Sequence, residues 1–115
     1  MHFGFINDNE ARVSITPSTL DKLINLNHKV SVEKNAGHLS GFSDSDYKKA
    51  KIASRKELIK NCDVLISVNS SSYNSFSDYE GKILISNFSL DSNKEKLKEE
   101  IDKNNISAYD LSMIP

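Results

Sequence analysis

Apolar positions along the chain fall into five short runs, His2 to Ile6, Lys29 to Glu33, Val64 to Val68, Lys82 to Ser86 and Ser107 to Leu111. Each has the length of a β-strand. The third and fourth hold near-continuous apolar stretches, Val64-Leu65-Ile66 and Ile83-Leu84-Ile85. Unbroken apolar strands suit a sheet covered on both faces. Between the runs the spacing turns helical, as at Leu20, Leu23 and Ile24, which share one face. Helix starts are marked. Thr16-Pro17 offers a capping hydroxyl and then a proline whose missing N–H costs nothing at the first helical position. Ser54-Arg55-Lys56-Glu57 and Ser92-Asn93-Lys94-Glu95 have the form of a capping box. Ser43-Asp44-Ser45-Asp46 is a variant with aspartate at the end. Strands alternating with helices predict a three-layer α/β domain with a mainly parallel, five-stranded sheet joined by right-handed crossovers, flavodoxin-like or a Rossmann-like half.

Length and composition narrow this picture. The 115 residues fit one domain, 1–115. Only four are glycine, at positions 4, 37, 41 and 81. They give neither G-x-G-x-x-G nor G-x-x-x-x-G-K-[ST], so neither standard phosphate-cradling loop is present. Basic and acidic residues nearly balance, 15 against 16, and no basic stripe points to nucleic acid. Lysine and asparagine are abundant, which reads as codon bias in an AT-rich genome. The single cysteine, Cys62, has no partner for an internal disulfide, which favours a reducing, cytoplasmic compartment. No apolar stretch is long enough to span a membrane, and the N-terminus lacks the pattern of a signal peptide.

Candidate chemistry is sparse. His2, His28 and His38 have no metal-ligand spacing, so no metal is expected. His28 is expected at a helix C-terminus, where a cation favours the dipole. Cys62 precedes an apolar strand and reads as a buried, inert thiol. Tyr73, Phe76 and Tyr79 read as loop packing, because a platform for bases would need a basic groove. The Ser- and Asn-rich stretch from Asn69 to Ser77 follows a strand, at the end where open α/β sheets place their ligand crevice. Asn69 there is a turn former first and a candidate contact second.

Five segments, in order, resemble one family. Asn9-Glu10-Ala11-Arg12-Val13-Ser14-Ile15-Thr16-Pro17 is similar to the N-E-x-R-V-A-x-T-P of alanine dehydrogenases and of the NAD(P) transhydrogenase alpha subunit. Residues 26–37, ending Val32-Glu33-Lys34-Asn35-Ala36-Gly37, resemble G-H-x-V-x-V-E-x-G-A-G. Ser40 to Tyr47 resembles S-x-F-S-D-x-x-Y, Asp63 to Asn69 resembles D-x-x-L-K-V-x, and Ala108 to Pro115 resembles the segment before the family's P-R. The resemblance implies an N-terminal domain. The NAD(H)-binding Rossmann domain would lie outside this chain, which then reads as a fragment with no catalysis of its own. It also implies parent-protein partners: that NAD-binding domain, membrane-embedded transhydrogenase subunits beside a peripheral cytoplasmic location, and further copies in a homo-oligomer.

The same resemblance singles out residues. Arg12 matches the arginine that holds a substrate carboxylate in alanine dehydrogenases, and Asn69 matches their lysine. Their acid–base histidine falls near Ser89. Serine cannot shuttle a proton at neutral pH as imidazole can. With two of three groups replaced, the transhydrogenase alpha subunit is the expected relative and alanine dehydrogenase the alternative. A free-standing binding module that lost its enzyme is a third. Against the transhydrogenase pattern, the P-K-E after the first strand is shortened to Phe5-Ile6-Asn7-Asp8, Ser67 replaces the strand lysine, and the helical region around Lys49 to Ala53 lacks A-G-A.

Overall fold

The computed structural model describes residues 1–9, 15–88 and 94–110. Its elements are β1 (His2–Phe5), α1 (Pro17–Asn25), β2 (Lys29–Glu33), β3 (Lys51–Ala53), α2 (Arg55–Asn61), β4 (Val64–Asn69), β5 (Ile83–Asn87), α3 (Lys94–Lys103) and β6 (Ser107–Asp110). The strands form one sheet in the order β3-β2-β1-β4-β5-β6, and every neighbouring pair is parallel. This is the α/β arrangement that the strand–helix alternation predicts, with six strands in place of five. The additional strand, β3, lies within the region read as helical around Lys49 to Ala53. Three residues are too few to show a period, and only sheet pairing of Ser31, Val32 and Glu33 with Lys51, Ile52 and Ala53 defines it.

The marked helix starts form as their side chains dictate. Thr16 Oγ1 accepts the N–H of Thr19, and Pro17 opens α1. Ser54 Oγ accepts the N–H of Glu57 at 3.3 Å, and the Glu57 carboxylate accepts the N–H of Ser54 at 3.4 Å. The Ser43 variant closes only a single 3-10 turn, Asp44–Asp46, with the Asp46 carboxylate 2.8 Å from the Ser43 N–H. The box at Ser92 and the strand end at Leu111 lie outside the described residues. Among the described residues, all five non-glycine positions with positive φ are asparagine: 9, 27, 35, 74 and 105. Asparagine tolerates the left-handed region better than other non-glycine residues. The abundant asparagine thus serves turns that glycine would otherwise make.

Alternate residues of each strand face opposite layers, which gives two cores. On one face Phe5, Val30 and Val32 pack with Leu20 of α1 and with Tyr47. The Tyr47 hydroxyl is buried and donates to the Ile15 carbonyl at 2.9 Å. On the other face Leu65 and Leu84 pack with Leu58 of α2, Leu97 of α3, and the aromatic group Tyr73, Tyr79 and Phe88. Tyr73 and Tyr79 are 1% and 0% exposed, so they are core residues and not a surface platform. The helix expected to end beside His28 ends at Asn25, and the His28 ring packs edge-on against Phe3 at 5.0 Å. Among the described residues, no helix is long and apolar enough to cross a membrane.

Cys62 closes α2 beneath Gly4 and is fully buried. A Cβ at Gly4 would stand 2.8 Å from Cys62 Sγ and 3.0 Å from Leu65 Cδ2. Gly4→Ala is therefore expected to cost about 1–3 kcal/mol by overpacking. In urea titrations the loss should shrink when Cys62→Ala removes the sulfur, a coupling that a double-mutant cycle measures. Burial also pushes the Cys62 thiol up from 9.0 to about 11. The unfolded thiol releases its proton first, so folding stability contributed by this group is complete below pH 9 and declines as pH rises toward 11. Unfolding free energy should fall more steeply over that interval in the parent than in Cys62→Ala, by up to about 1.4 kcal/mol per pH unit.

Candidate functional site

Strand order reverses between β1 and β4. In open α/β sheets the crevice at the carboxyl ends of such strands is the usual ligand site. Here its walls are the residues after β1, the last residue of β2, the first of α2, and the turn Ser70–Tyr73 that follows β4.

Asp8 reaches across the crevice. Its carboxylate accepts the N–H groups of Val68 at 2.9 Å and Asn69 at 3.1 Å, and the hydroxyl of Ser72. Two successive backbone N–H groups and a hydroxyl converging on one point form an anion-binding concavity. Its occupant in this fold is the chain's own side chain.

Arg55 forms the second half of the site. Its Nε and Nη2 both lie 2.9 Å from Glu33 Oε1, with the two side chains 25% and 14% exposed. Nη1 donates to the carbonyl of Ser72 and, at 3.3 Å, to the Tyr79 hydroxyl, and Nη2 donates to the Asn7 carbonyl at 3.3 Å. Glu33 Oε1 also accepts the Asn7 N–H at 2.7 Å. Burial works against the Arg55 charge most strongly, but Glu33 and the Tyr79 hydroxyl outweigh it and hold its pKa above the ordinary value. Burial raises the Tyr79 hydroxyl, and Arg55 opposes that rise. The cation is therefore permanent and its directional donors are spent on the surrounding loops. An open recess of about 380 Å³, lined by Arg55, Lys56, Ile59 and Asp78, adjoins this network.

Of the two residues singled out from the sequence, Asn69 stands at the carboxyl end of β4. Its Oδ1 accepts the N–H and the hydroxyl of Ser71, each at 3.0 Å, so the side chain caps the turn that follows. Arg12 lies outside the described residues, as does Ser89. Asp8, Glu33, Arg55 and Ser72 were not singled out. The available signals were weak: a carboxylate directly after the apolar run of β2, and one of only two arginines in the chain. Arg55 was legible only as part of a capping box, which explains the helix start but not where its guanidinium goes.

Arg55→Met should strand Glu33 in a largely buried site and cost about 2 kcal/mol, below the loss for a fully buried pair. Glu33→Gln should cost less, because an amide oxygen still accepts from Arg55. The double replacement should cost less than the two singles summed, as read from denaturant midpoints. Additive losses would mean that the pair carries no coupling.

With this geometry the chain can be set beside known proteins. Residues 6–115 match the model of the alanine dehydrogenase/PNT N-terminal domain. Alanine dehydrogenase 2 of Staphylococcus aureus (strain Mu50 / ATCC 700699) is 38% identical over 117 residues, which cover 96% of this chain and 31% of that protein. Among solved structures, a transhydrogenase from Sinorhizobium meliloti superposes with a TM-score of 0.86 at 23% identity, over 100% of this chain and 36% of the other. An L-alanine dehydrogenase superposes at 0.82 with 25% identity, over 96% of this chain and 32% of the other. The chain thus spans about a third of the length of its relatives. The order of its segments, the parallel sheet and the match across residues 6–115 agree, and the chain belongs to the alanine dehydrogenase/PNT N-terminal domain family.

Proposed function

We propose that the chain serves as the N-terminal domain of an NAD(P) transhydrogenase alpha subunit, in a protein that passes hydride between NAD(H) and NADP(H). The supporting observation is the occupied crevice. The N–H groups at the end of β4 are taken by Asp8, and Asn69, at the family's lysine position, is taken by Ser71. An amino-acid dehydrogenase needs groups there that clamp a substrate carboxylate and move a proton. Direct hydride exchange between two nucleotides needs neither. On this reading the domain carries no catalysis by itself. It supports an NAD(H)-binding domain elsewhere in the protein, next to membrane-embedded subunits and in a homo-oligomeric assembly. Arg12 and Asn69 would act at most on the position of that neighbour.

Alanine dehydrogenase is the second reading, favoured by the 38% identity to the staphylococcal enzyme and by the retained arginine at position 12. Assays of the complete protein separate the two. The first reading expects hydride transfer from NADPH to an NAD⁺ analogue, and no alanine-dependent reduction of NAD⁺ above a blank. Pyruvate- and ammonium-dependent oxidation of NADH, abolished by Arg12→Ala, would reverse the choice.

A further inference from the structure

At the opposite end of the sheet β3 is too short to cover β2. Its first residue, Lys51, pairs with Ser31, so Lys29 and Val30 have no partner in β3's register. The resulting notch is an open recess of about 350 Å³, lined by His2, Ile24, His28, Lys29, Val30, Ser31, Lys49 and Lys51. Three lysines and two histidines face it, and among the described residues no acidic residue lines it, in a chain whose formal net charge is −1. His2 Nε2 lies 2.6 Å from Ser31 Oγ, and Ser31 is 2% exposed. The Ser31 hydroxyl is engaged by His2 and by the buried Cys62 thiol, so what the recess offers a ligand is its imidazole and ammonium groups.

Two structural explanations for the cations can be weighed. Lysine and histidine often complete a helix C-terminus, and α1 ends here. That end is already closed by its own backbone: the N–H groups of Leu26, Asn27 and His28 bond to the carbonyls of Leu23 and Ile24. Ion pairing is the other. Glu57 stands 3.8 Å from Lys51, and Asp63 accepts the backbone N–H of His2. Neither acidic residue enters the lining. Like charges gathered on one recess repel each other, and a bound anion relieves that repulsion.

We propose that this recess is a binding site for a phosphate group, either the free ion or a phosphomonoester of a small molecule. Lysine binds phosphate as a point charge, and several ammonium groups match its more than single negative charge. The recess is separate from the crevice after β1 and β4, since it opens at the amino ends of the strands. It does not depend on which hydride reaction the parent protein performs.

The test is an NMR titration of the ¹⁵N-labelled chain at constant ionic strength, with inorganic phosphate in one arm and glycerol 3-phosphate in the other. Saturable shifts confined to residues around 2, 28–31 and 49–51 are expected in at least one arm. Tighter binding of glycerol 3-phosphate would identify the phosphomonoester, and equal binding the free ion. The exposed Lys49→Gln and Lys51→Gln changes together should weaken binding by about tenfold, while Lys98→Gln on α3 should leave it unchanged. Unaltered spectra away from the recess would verify folding of each variant. Shifts that never saturate, that spread over all surface lysines, or that survive the Lys49/Lys51 change would overturn the site.

Discussion

A guanidinium that is three-quarters buried has to be answered on every edge, and at Arg55 the answers come from separate parts of the chain. Glu33 ends β2, Asn7 follows β1, Ser72 belongs to the turn after β4, and Tyr79 to the turn before β5. These connections are far apart in sequence and meet only because a parallel sheet gathers all its strand ends on one edge. Glu33 neutralises the charge, and carbonyl and hydroxyl oxygens satisfy the remaining N–H groups. Half of this arrangement would be worse than none, because an unpaired buried charge costs more than the pair returns. The ends of β1, β2 and β4 are consequently fixed together, and Asp8 enters the crevice at a set depth.

That constraint bears on chemistry. A crevice at the reversal of strand order usually offers its N–H groups and cations to a ligand. In this chain the strongest recognition groups are turned on one another. Asp8 occupies the β4 amides, Glu33 occupies Arg55, and Ser71 occupies Asn69. The polar groups of this surface satisfy one another.

Much of the fold was legible in the sequence because local rules and packing agree. Thr16-Pro17 and Ser54 to Glu57 cap the helices they precede, and the apolar runs at Val64 and Ile83 form the buried centre of the sheet. β3 was not legible, since Lys51-Ile52-Ala53 gains its identity from pairing with β2. The candidate site was less legible still. Asp8 and Arg55 each look like ordinary polar residues in a loop and a helix start. What they do depends on partners about 17 to 64 residues away, which only the sheet topology brings together. The resemblance to the family supplied Asn69, and the structure adds that its amide oxygen is already engaged.

The two ends of the sheet differ in a way that follows from strand length. At the carboxyl edge the loops find partners in their neighbours: Glu33 neutralises Arg55, and backbone N–H groups and a hydroxyl hold Asp8. At the amino edge β3 begins two residues late relative to β2, and the lysines around that gap have no matching acidic loop within it. A short edge strand also protects the sheet from pairing with another chain, and flanking lysines strengthen that protection. Edge protection accounts for Lys49 and Lys51, which flank or begin β3. It does not account for Lys29 of the inner strand β2, nor for His2 of β1 and His28, which line the same recess. Basic side chains from β1, β2 and the β3 segment meeting at one recess set the notch apart from a solvated lysine surface.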